Sequence, residues 1–292
     1  MASQIKWNRT GRPGEEVLLA EEKNGVEYLT FPALSKTGAV AHLFSTRVGG
    51  VSRGIYSTMN LSFTRGDKYE DVLENYRRIA GLFDCSTEDI VCTDQTHTVN
   101  VRQVTAPDKG KGVTKERDYH DVDGLITDIP GILLAVFVAD CVPIYFVDPV
   151  RGAIGLAHSG WRGTVGRIGE KLISMMEECY GCKRENILTA IGPSICRDCY
   201  EVSEDVADRF REEFGEAVLF SGKAQGKYQL DLWKANEMVL LQAGILKENI
   251  TVTDICTRCN ADYLFSHRAS GEKRGNLGAF VMLKETEERK HG

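Results

Sequence analysis

The chain has 292 residues, of which 42% are hydrophobic and 27% charged, a composition typical of a soluble globular protein with a substantial core. Its net charge of −6 argues against broad binding to nucleic acid or to an anionic membrane. No apolar run is long enough to span a bilayer, and the N-terminal residues lack a secretory apolar core, so the sequence predicts a cytoplasmic protein. The cysteine count of nine is odd, which favours free thiols or metal ligands over a disulfide framework.

The first part of the chain predicts short strands and one helix. Residues 16–20 and 26–31 are expected to form a hairpin, further strands are predicted at 39–46, 90–92 and 99–104, and ordered structure is expected to resume at 122–127. A glycine-rich loop at 47–54 follows the third strand, and the apolar spacing at 67–83 predicts a helix. The polar segment 105–121 is expected to be an exposed loop.

The centre of the sequence is strongly apolar and carries two reactive side chains. Strands are predicted at 132–138, 142–147 and 153–157. Cys141 lies between the first two strands, and His158 directly follows the third. Both side chains are therefore expected at the ends of rigid buried strands, which suit chemistry that needs fixed geometry.

The remainder of the chain mixes helices and strands. A long amphipathic helix is predicted at 164–180, with Cys179 on its apolar face. Ser203 and Asp231 are expected to cap two further helices, and strands are predicted at 186–191, 250–255 and 277–283, before a charged tail at 284–292. A regular alternation of strand and helix is absent, so the sequence predicts one α+β domain over 1–292 with mixed sheets.

His97, Cys141 and His158 form the main candidate site. Each borders an apolar strand, and two imidazoles with one thiolate make a catalytic type of zinc site, in which a fourth position stays open. Asp140 and Gln95 are candidates to orient these ligands. Two alternatives stay open from the residues alone: Cys141 as a nucleophile with His158 as its base, or both as ordinary buried side chains.

Three Cys-x-x-Cys pairs occur later, at Cys179/Cys182, Cys196/Cys199 and Cys256/Cys259. The last two pairs are much farther apart than the pairs of a zinc ribbon. The sequence therefore predicts reduced thiols that hold no metal.

A set of short motifs points to one family. In chain order they are Ser45-Thr46-Arg47-x-Gly49-Gly50-Val51-Ser52, Gln95-Thr96-His97, Asp123-Gly124-Leu125-Ile126-Thr127, Ala139-Asp140-Cys141-Val142-Pro143-Ile144, Ala157-His158-Ser159-Gly160-Trp161-Arg162-Gly163, Ile191-Gly192-Pro193-Ser194-Ile195 and Phe265-Ser266-His267-Arg268. Together they resemble the YfiH/YlmD family, whose members were first called laccase-like polyphenol oxidases and are now regarded as purine nucleoside phosphorylases. The resemblance covers roughly Val40 to Leu283.

The resemblance implies a layered sandwich fold, shared with deamidating bacterial toxins, and a zinc enzyme. Its three metal ligands map onto His97, Cys141 and His158. The implied reaction is phosphorolysis of adenosine, inosine and methylthioadenosine to free base and (methylthio)ribose 1-phosphate, with adenosine deamination as a side activity. The expected partners are purine nucleosides and phosphate, and the expected assembly is a monomer or homodimer.

The same resemblance extends to further site residues. Asp140 is the nearest acidic candidate for proton transfer beside Cys141, and substrate contacts are expected from Arg47, Asn60, Gln95, Asp123, Arg162 and Arg268. The three arginines are candidates for a phosphate site, because a guanidinium is always charged and pairs well with phosphate oxygens. Arg47 is the preferred one, because it lies in the glycine-rich loop.

Copper chemistry is the main competing interpretation within the family. The chain has only six histidines, too few for a multicopper centre, but copper can compete with zinc for a His/Cys/His site. A copper-dependent phenol oxidase or a Cys/His hydrolase therefore remains the alternative to a phosphorylase.

Overall fold

The fold is described from a computed structural model, in which residues 5–11 and 16–285 are described. The predicted charged tail falls almost entirely outside these residues. The strands are β1 (Leu19–Lys23), β2 (Val26–Thr30), β3 (Val40–Ser45), β4 (Ile90–Cys92), β5 (Val101–Gln103), β6 (Gly124–Thr127), β7 (Leu133–Val138), β8 (Val142–Asp148), β9 (Ala153–Ser159), β10 (Leu188–Ile191), β11 (Glu201–Ser203), β12 (Leu219–Ser221), β13 (Lys227–Leu230), β14 (Ile250–Val252) and β15 (Leu277–Leu283). The helices are α1 (Pro32–Ser35), α2 (Tyr69–Leu82), α3 (Trp161–Val165), α4 (Ile168–Tyr180), α5 (Glu204–Phe214), α6 (Leu232–Gln242) and α7 (His267–Ser270).

Two six-stranded mixed sheets form the centre of the molecule. The first has the order β1-β2-β3-β15-β7-β4, and the second has the order β14-β10-β8-β9-β6-β5. Each sheet is mainly antiparallel, but β4 pairs with β7 in parallel, and parallel pairs also close both edges of the second sheet. The predicted α+β architecture with mixed sheets is confirmed.

Apolar side chains divide the structure into four layers. Leu134 of the first sheet and Leu156 of the second lie in one buried cluster between the sheets. Helix α2 covers the outer face of the first sheet, where Ile79 joins a second apolar cluster. Helices α4, α5 and α6 cover the outer face of the second sheet, where Leu172 and Leu240 belong to a third cluster. This helix–sheet–sheet–helix order holds the strand ends rigidly at the edges of the sandwich.

Several predicted boundaries shift for local physical reasons. The first hairpin turns at Asn24-Gly25, with φ of 57° and 78°, because these residues tolerate the left-handed conformations that a two-residue hairpin turn requires. The predicted long helix is divided in two, because Arg167 adopts a left-handed conformation (φ 60°) between α3 and α4. Asp231 caps α6 through its side chain, whereas the Ser203 hydroxyl makes no cap hydrogen bond.

Two further differences concern later parts of the chain. The sequence prediction missed the antiparallel sheet β11-β13-β12, whose strands have three or four residues and too short an alternation to stand out. Cys179 was predicted on the apolar face of the long helix, but it is exposed on α4.

Candidate active site

The candidate site lies where the chain passes twice from one sheet to the other. Strand β7 belongs to the first sheet and β8 to the second, and Cys141 is in the turn between them. His97 lies in the loop that joins β4 of the first sheet to β5 of the second. His158 is on β9, opposite Pro143 of β8, so the observed strand includes it rather than ending before it. Residues far apart in sequence are thereby brought to one edge of the sandwich.

The three side chains form a compact group, called here the histidine–cysteine cluster. Their candidate ligand atoms all lie within 4.8 Å of one another. Cys141 Sγ is 3.9 Å from His97 Nε2, and the two imidazole rings meet edge to face with centroids 4.9 Å apart. His158 is buried, Cys141 is half-buried and His97 is exposed, so the cluster is open on the side of His97.

Asp123 fixes both the buried histidine and the loop of the exposed one. Its Oδ1 lies 2.7 Å from His158 Nδ1, and this contact leaves His158 Nε2 as the nitrogen directed to the cluster. The same carboxylate accepts hydrogen bonds from the backbone amides of Thr96, His97 and Thr98, at 3.2, 3.2 and 2.8 Å. We therefore find Asp123 as the orienting carboxylate of the cluster, a role that the sequence prediction gave to Asp140 and Gln95.

The electrostatics of the cluster favour a thiolate. Burial opposes ionisation of Cys141, but the charge on His158 and hydrogen bonds from both histidines outweigh it and lower the Cys141 pKa to about 6. Burial also disfavours a charged His158, yet the Cys141 thiolate and the Asp123 carboxylate raise the His158 pKa to about 9. These two shifts together favour a Cys141 thiolate next to a positively charged His158 imidazolium.

Backbone features bring the three residues close together. His97, in the cluster, has a φ of 67°, and Asp140, directly before Cys141, has a φ of 90°. Residues other than glycine rarely adopt these values. Gly160 lies against the cluster, where a Cβ atom would be 2.7 Å from His97 Cδ2 and 3.2 Å from Cys141 Sγ. The glycine of the His-Ser-Gly-Trp motif is thus required by the close approach of the loop to the cluster.

A cavity of about 860 Å³ adjoins the histidine–cysteine cluster and is large enough for a nucleoside with a small anion. Its apolar wall includes Phe63, Tyr69, Tyr76 and Phe137. The basic residues that line it are Arg65, Lys115, Arg117 and Arg274. These cations were not predicted from the sequence, because they lie in loops without periodicity and outside the quoted motifs.

The predicted residues Gln95 and Asp140 both support the backbone near the cluster. The Gln95 amide pairs with the backbone of Phe137, accepting from its N at 2.7 Å and donating to its O at 2.6 Å. The Asp140 carboxylate accepts from Thr257 Oγ1 and from the Arg268 amide, each at 2.6 Å. Gln95 lines the cavity, whereas Asp140 is buried and is not among the cavity residues.

The other predicted substrate residues lie outside the cavity wall. Asn60 is buried and bonds Ser62 and Asp67. Arg162 is exposed and lies over the Trp161 ring, and Arg268 donates to Glu201 O at 2.8 Å.

Arg47 is also bound within the protein. Its guanidinium donates to Ser57 O at 2.8 Å and Ala261 O at 3.0 Å and packs over the Phe265 ring. A phosphate role for Arg47, Arg162 or Arg268 stays a prediction. The cations that line the cavity are alternative candidates for the phosphate site.

The fold and the site define a class: four-layered α/β sandwiches with a His/Cys/His cluster at the crossing of two mixed sheets. Residues 41–284 match the family described as multi-copper polyphenol oxidoreductase laccase, and the chain belongs to this family, which includes YlmD and YfiH. The resemblance predicted from the motifs is confirmed.

Three relatives illustrate the family. Purine nucleoside phosphorylase YlmD of Bacillus subtilis is 37% identical over 83% of this chain and 88% of its own length. Adenosine deaminase RL5, from an unknown prokaryotic organism, is 36% identical over 82% of this chain and 93% of its own. The crystal structure of the hypothetical protein YfiH of Bacillus licheniformis superposes with a TM-score of 0.85 at 31% identity, covering 91% of this chain and 99% of that one. Among the residues that the structure describes, no helix is long and apolar enough to cross a membrane.

Proposed function

We propose that this chain is a zinc-dependent purine nucleoside phosphorylase that cleaves adenosine, inosine and methylthioadenosine with phosphate, and that it deaminates adenosine as a side activity. The proposal is supported by the names of its relatives and by one structural observation. That observation is a single cavity that adjoins the histidine–cysteine cluster and also has aromatic and basic walls.

The donor set fits zinc. Two imidazole nitrogens and one thiolate are borderline-soft ligands, and Asp123 supplies the carboxylate partner that zinc-binding histidines typically have. When bound, zinc would supply a Lewis acid beside the cavity. His97, Cys141 and His158 would hold it. Asp123 orients His158 and binds the His97 amide, and the absence of a side chain at Gly160 leaves room for His97 and Cys141.

The aromatic wall suits a purine base. Phe63 packs against Tyr69 and Tyr76, with ring centroids 5.0 and 5.2 Å away, and Tyr69 is 55% exposed. An exposed aromatic face next to a cavity can stack a base without reading its hydrogen-bonding edge. This wall therefore fits several purine nucleosides rather than one.

The basic wall suits phosphate, and Arg274 is its principal residue. Arg274 is 6% exposed. Its Nη1 donates to Gly275 O and to Asn276 Oδ1, whereas its buried Nε makes no hydrogen bond among the described residues. Burial lowers the Arg274 pKa, and the charge of nearby Arg65 lowers it further. An anion between the two guanidiniums would relieve both costs, although Arg65 also pairs with Glu272.

These groups would support phosphorolysis, which needs no reactant other than the nucleoside and phosphate. A phosphate oxygen forms a bond to ribose C1′, the bond from C1′ to the purine nitrogen breaks, and the phosphate proton ends on the base. Arg274 and Arg65 would position the phosphate, and the aromatic wall would hold the base. Closing both substrates into one cavity turns a bimolecular attack into a local one.

A Cys/His hydrolase is the second candidate, and one observation favours it. Cys141, His158 and Asp123 form a chain in which the carboxylate orients the imidazole and the imidazole lowers the thiol pKa. This is also the arrangement of a thiol nucleophile, its base and an orienting acid.

Product analysis with and without phosphate tests the proposal. The full chain is incubated with each nucleoside, before and after metal removal by a chelator and after zinc is restored. We expect free base only in the presence of phosphate, inosine from adenosine without phosphate, and loss of both activities on chelation. Activity that survives complete metal removal would favour the thiol nucleophile, copper-dependent phenol oxidation would favour the oxidase, and inertness of the zinc-bound protein towards every nucleoside would overturn the proposal.

A further inference from the structure

Two Cys-x-x-Cys pairs meet at one end of the second sheet. Strands β10 and β14 are parallel neighbours, and their pairing continues beyond the strands in a bridge between Ser194 and Cys256. Cys196 and Cys199 follow β10, while Cys256 and Cys259 follow β14. The separation of these pairs in sequence is wider than that of a zinc ribbon, but it does not keep them apart in space, because parallel strands bring their carboxyl ends to the same edge.

The four thiols form a compact group, called here the four-cysteine cluster. Their Sγ atoms all lie within 4.8 Å of one another, and Cys199 Sγ is 3.4 Å from Cys259 Sγ. Four thiolates around one zinc ion, with Zn–S bonds of about 2.3 Å, place their sulfurs about 3.8 Å apart. The arrangement thus needs only small movements to become tetrahedral.

Local donors are arranged to stabilise negative charge on these sulfurs. The backbone amides of Cys196 and Cys259 donate to Cys256 Sγ, at 3.2 and 3.5 Å, and Arg258 Nη1 lies 3.5 Å from Cys199 Sγ. Hydrogen bonds to thiolate ligands and a nearby cation are the outer contacts that stabilise a four-thiolate metal site, which carries net negative charge.

We propose that Cys196, Cys199, Cys256 and Cys259 bind one structural zinc ion. All four positions would be filled by protein, which is the closed form of a zinc site, and four sulfurs in tetrahedral geometry favour zinc over harder cations. Cys196 and Cys256 are buried, whereas Cys259 is exposed, so the ion enters from the Cys259 side. This site is separate from the proposed active site and does not depend on the proposed reaction.

The proposed ion would tie together segments that support the candidate active site. Thr257, between the two cysteines of the second pair, donates to Asp140 Oδ1 at 2.6 Å, and the Ile195 amide donates to Asp140 O at 3.0 Å. Asp140 directly precedes Cys141. The four-cysteine cluster therefore supports the turn that carries Cys141 without contacting a substrate.

Metal counting on the purified full chain tests the proposal. We expect two zinc ions per chain in the wild type and one in the double variant C199S/C259S, with a lower melting temperature. The matched control is Cys179→Ser, because Cys179 belongs to the third Cys-x-x-Cys pair and is exposed on α4. It should leave both the zinc count and the melting temperature unchanged.

A second measurement leaves the cluster intact, in case the double variant does not fold. The Cys141→Ala variant, loaded with cobalt in place of zinc, should retain the intense thiolate-to-metal absorption of a four-sulfur site. Thiols are also counted after unfolding without reductant. Three results would each overturn the proposal. They are a metal-free four-cysteine cluster in protein that holds zinc at the histidine–cysteine cluster, iron in place of zinc, and the loss of four of the nine thiols to disulfides.

Discussion

The histidine–cysteine cluster and the four-cysteine cluster both contain cysteine thiols, but they differ in the number of ligands and in their surroundings. In the first, two histidines and one cysteine lie beside a cavity, and an ionised side chain, Asp123, orients one ligand. In the second, four cysteines are gathered by two short loops whose own amides donate to sulfur. Three ligands beside a cavity suit chemistry, whereas four ligands that fill every position of a zinc ion suit structural support. The comparison teaches that access and ligand number, rather than the presence of cysteine, distinguish the two roles.

Cys141→Ala is the change with the largest expected effect, and it acts on one cluster only. Removing one of three ligands leaves two histidines, which bind zinc weakly. We expect zinc to be lost from this cluster and nucleoside turnover to fall by more than about 100-fold, beyond the usual effect of losing an outer contact. One zinc ion should remain in the four-cysteine cluster. Zinc analysis and base release measure both results, and wild-type turnover with full zinc occupancy would contradict the ligand assignment.

Asp123→Asn tests whether the histidine–cysteine cluster depends on the carboxylate that orients His158. The amide keeps the size of the side chain but removes the charge that holds the His158 imidazole. We expect a loss of about 10- to 100-fold in zinc affinity or turnover, the usual range for such partners. Asp121→Asn is the matched control, because Asp121 bonds Thr96 in the same loop without reaching His158. Equal losses in the two variants would show that Asp123 only supports the loop.

The sequence predicted the histidine–cysteine cluster for a physical reason. His97, Cys141 and His158 each border an apolar strand, and apolar strands are visible as runs of hydrophobic residues. The role of Asp123 was not predicted, because a carboxylate before a strand has the same local signature whether it binds a substrate or a histidine. Its partner is set by the pairing of β6 with β9, which depends on the whole sheet.

The four-cysteine cluster and the basic cavity wall were not predictable in the same way. The two cysteine pairs meet only because β10 and β14 are parallel neighbours, and no local pattern in these short strands specifies a partner. Arg65 and Arg274 lie in loops, where exposure and burial follow from packing rather than periodicity. Arg47 was preferred as a phosphate ligand because a glycine-rich loop resembles an anion site, yet its guanidinium is bound to backbone carbonyls.

Arg274→Gln tests whether phosphate binds at the cavity wall rather than at Arg47 in the glycine-rich loop. If Arg274 binds phosphate, losing a charge-assisted partner should cost about 1.5–3 kcal/mol, so the KM for phosphate should rise at least about tenfold. Phosphate-independent deamination and both zinc counts should be unchanged.

Arg47→Ala is the matched comparison for Arg274→Gln. The Arg47 guanidinium supports the backbone at Ser57 and Ala261, so we expect lower stability and equal losses in both activities. Steady-state kinetics at varied phosphate separate the two arginines. A selective loss of phosphate dependence in Arg47→Ala, but not in Arg274→Gln, would restore Arg47 as the phosphate ligand.

Gly160→Ala has the smallest expected effect and tests how tightly the open cluster is packed. The added Cβ would lie 2.7 Å from His97 Cδ2 and 3.2 Å from Cys141 Sγ, so His97 or the loop at Gly160 must shift. Overpacking of this kind costs about 1–3 kcal/mol, and we expect a fall of about tenfold in zinc affinity at this cluster. Gly163→Ala on the adjoining α3 is the control, because its Cβ would meet no atom closer than 3.4 Å. Zinc titration of both variants measures the difference. Since the four-cysteine cluster does not contact Gly160, its zinc should be unaffected in each. Equal zinc affinity in the two variants would mean that the loop yields to the methyl group and that His97 is held less firmly than its contacts with Asp123 imply.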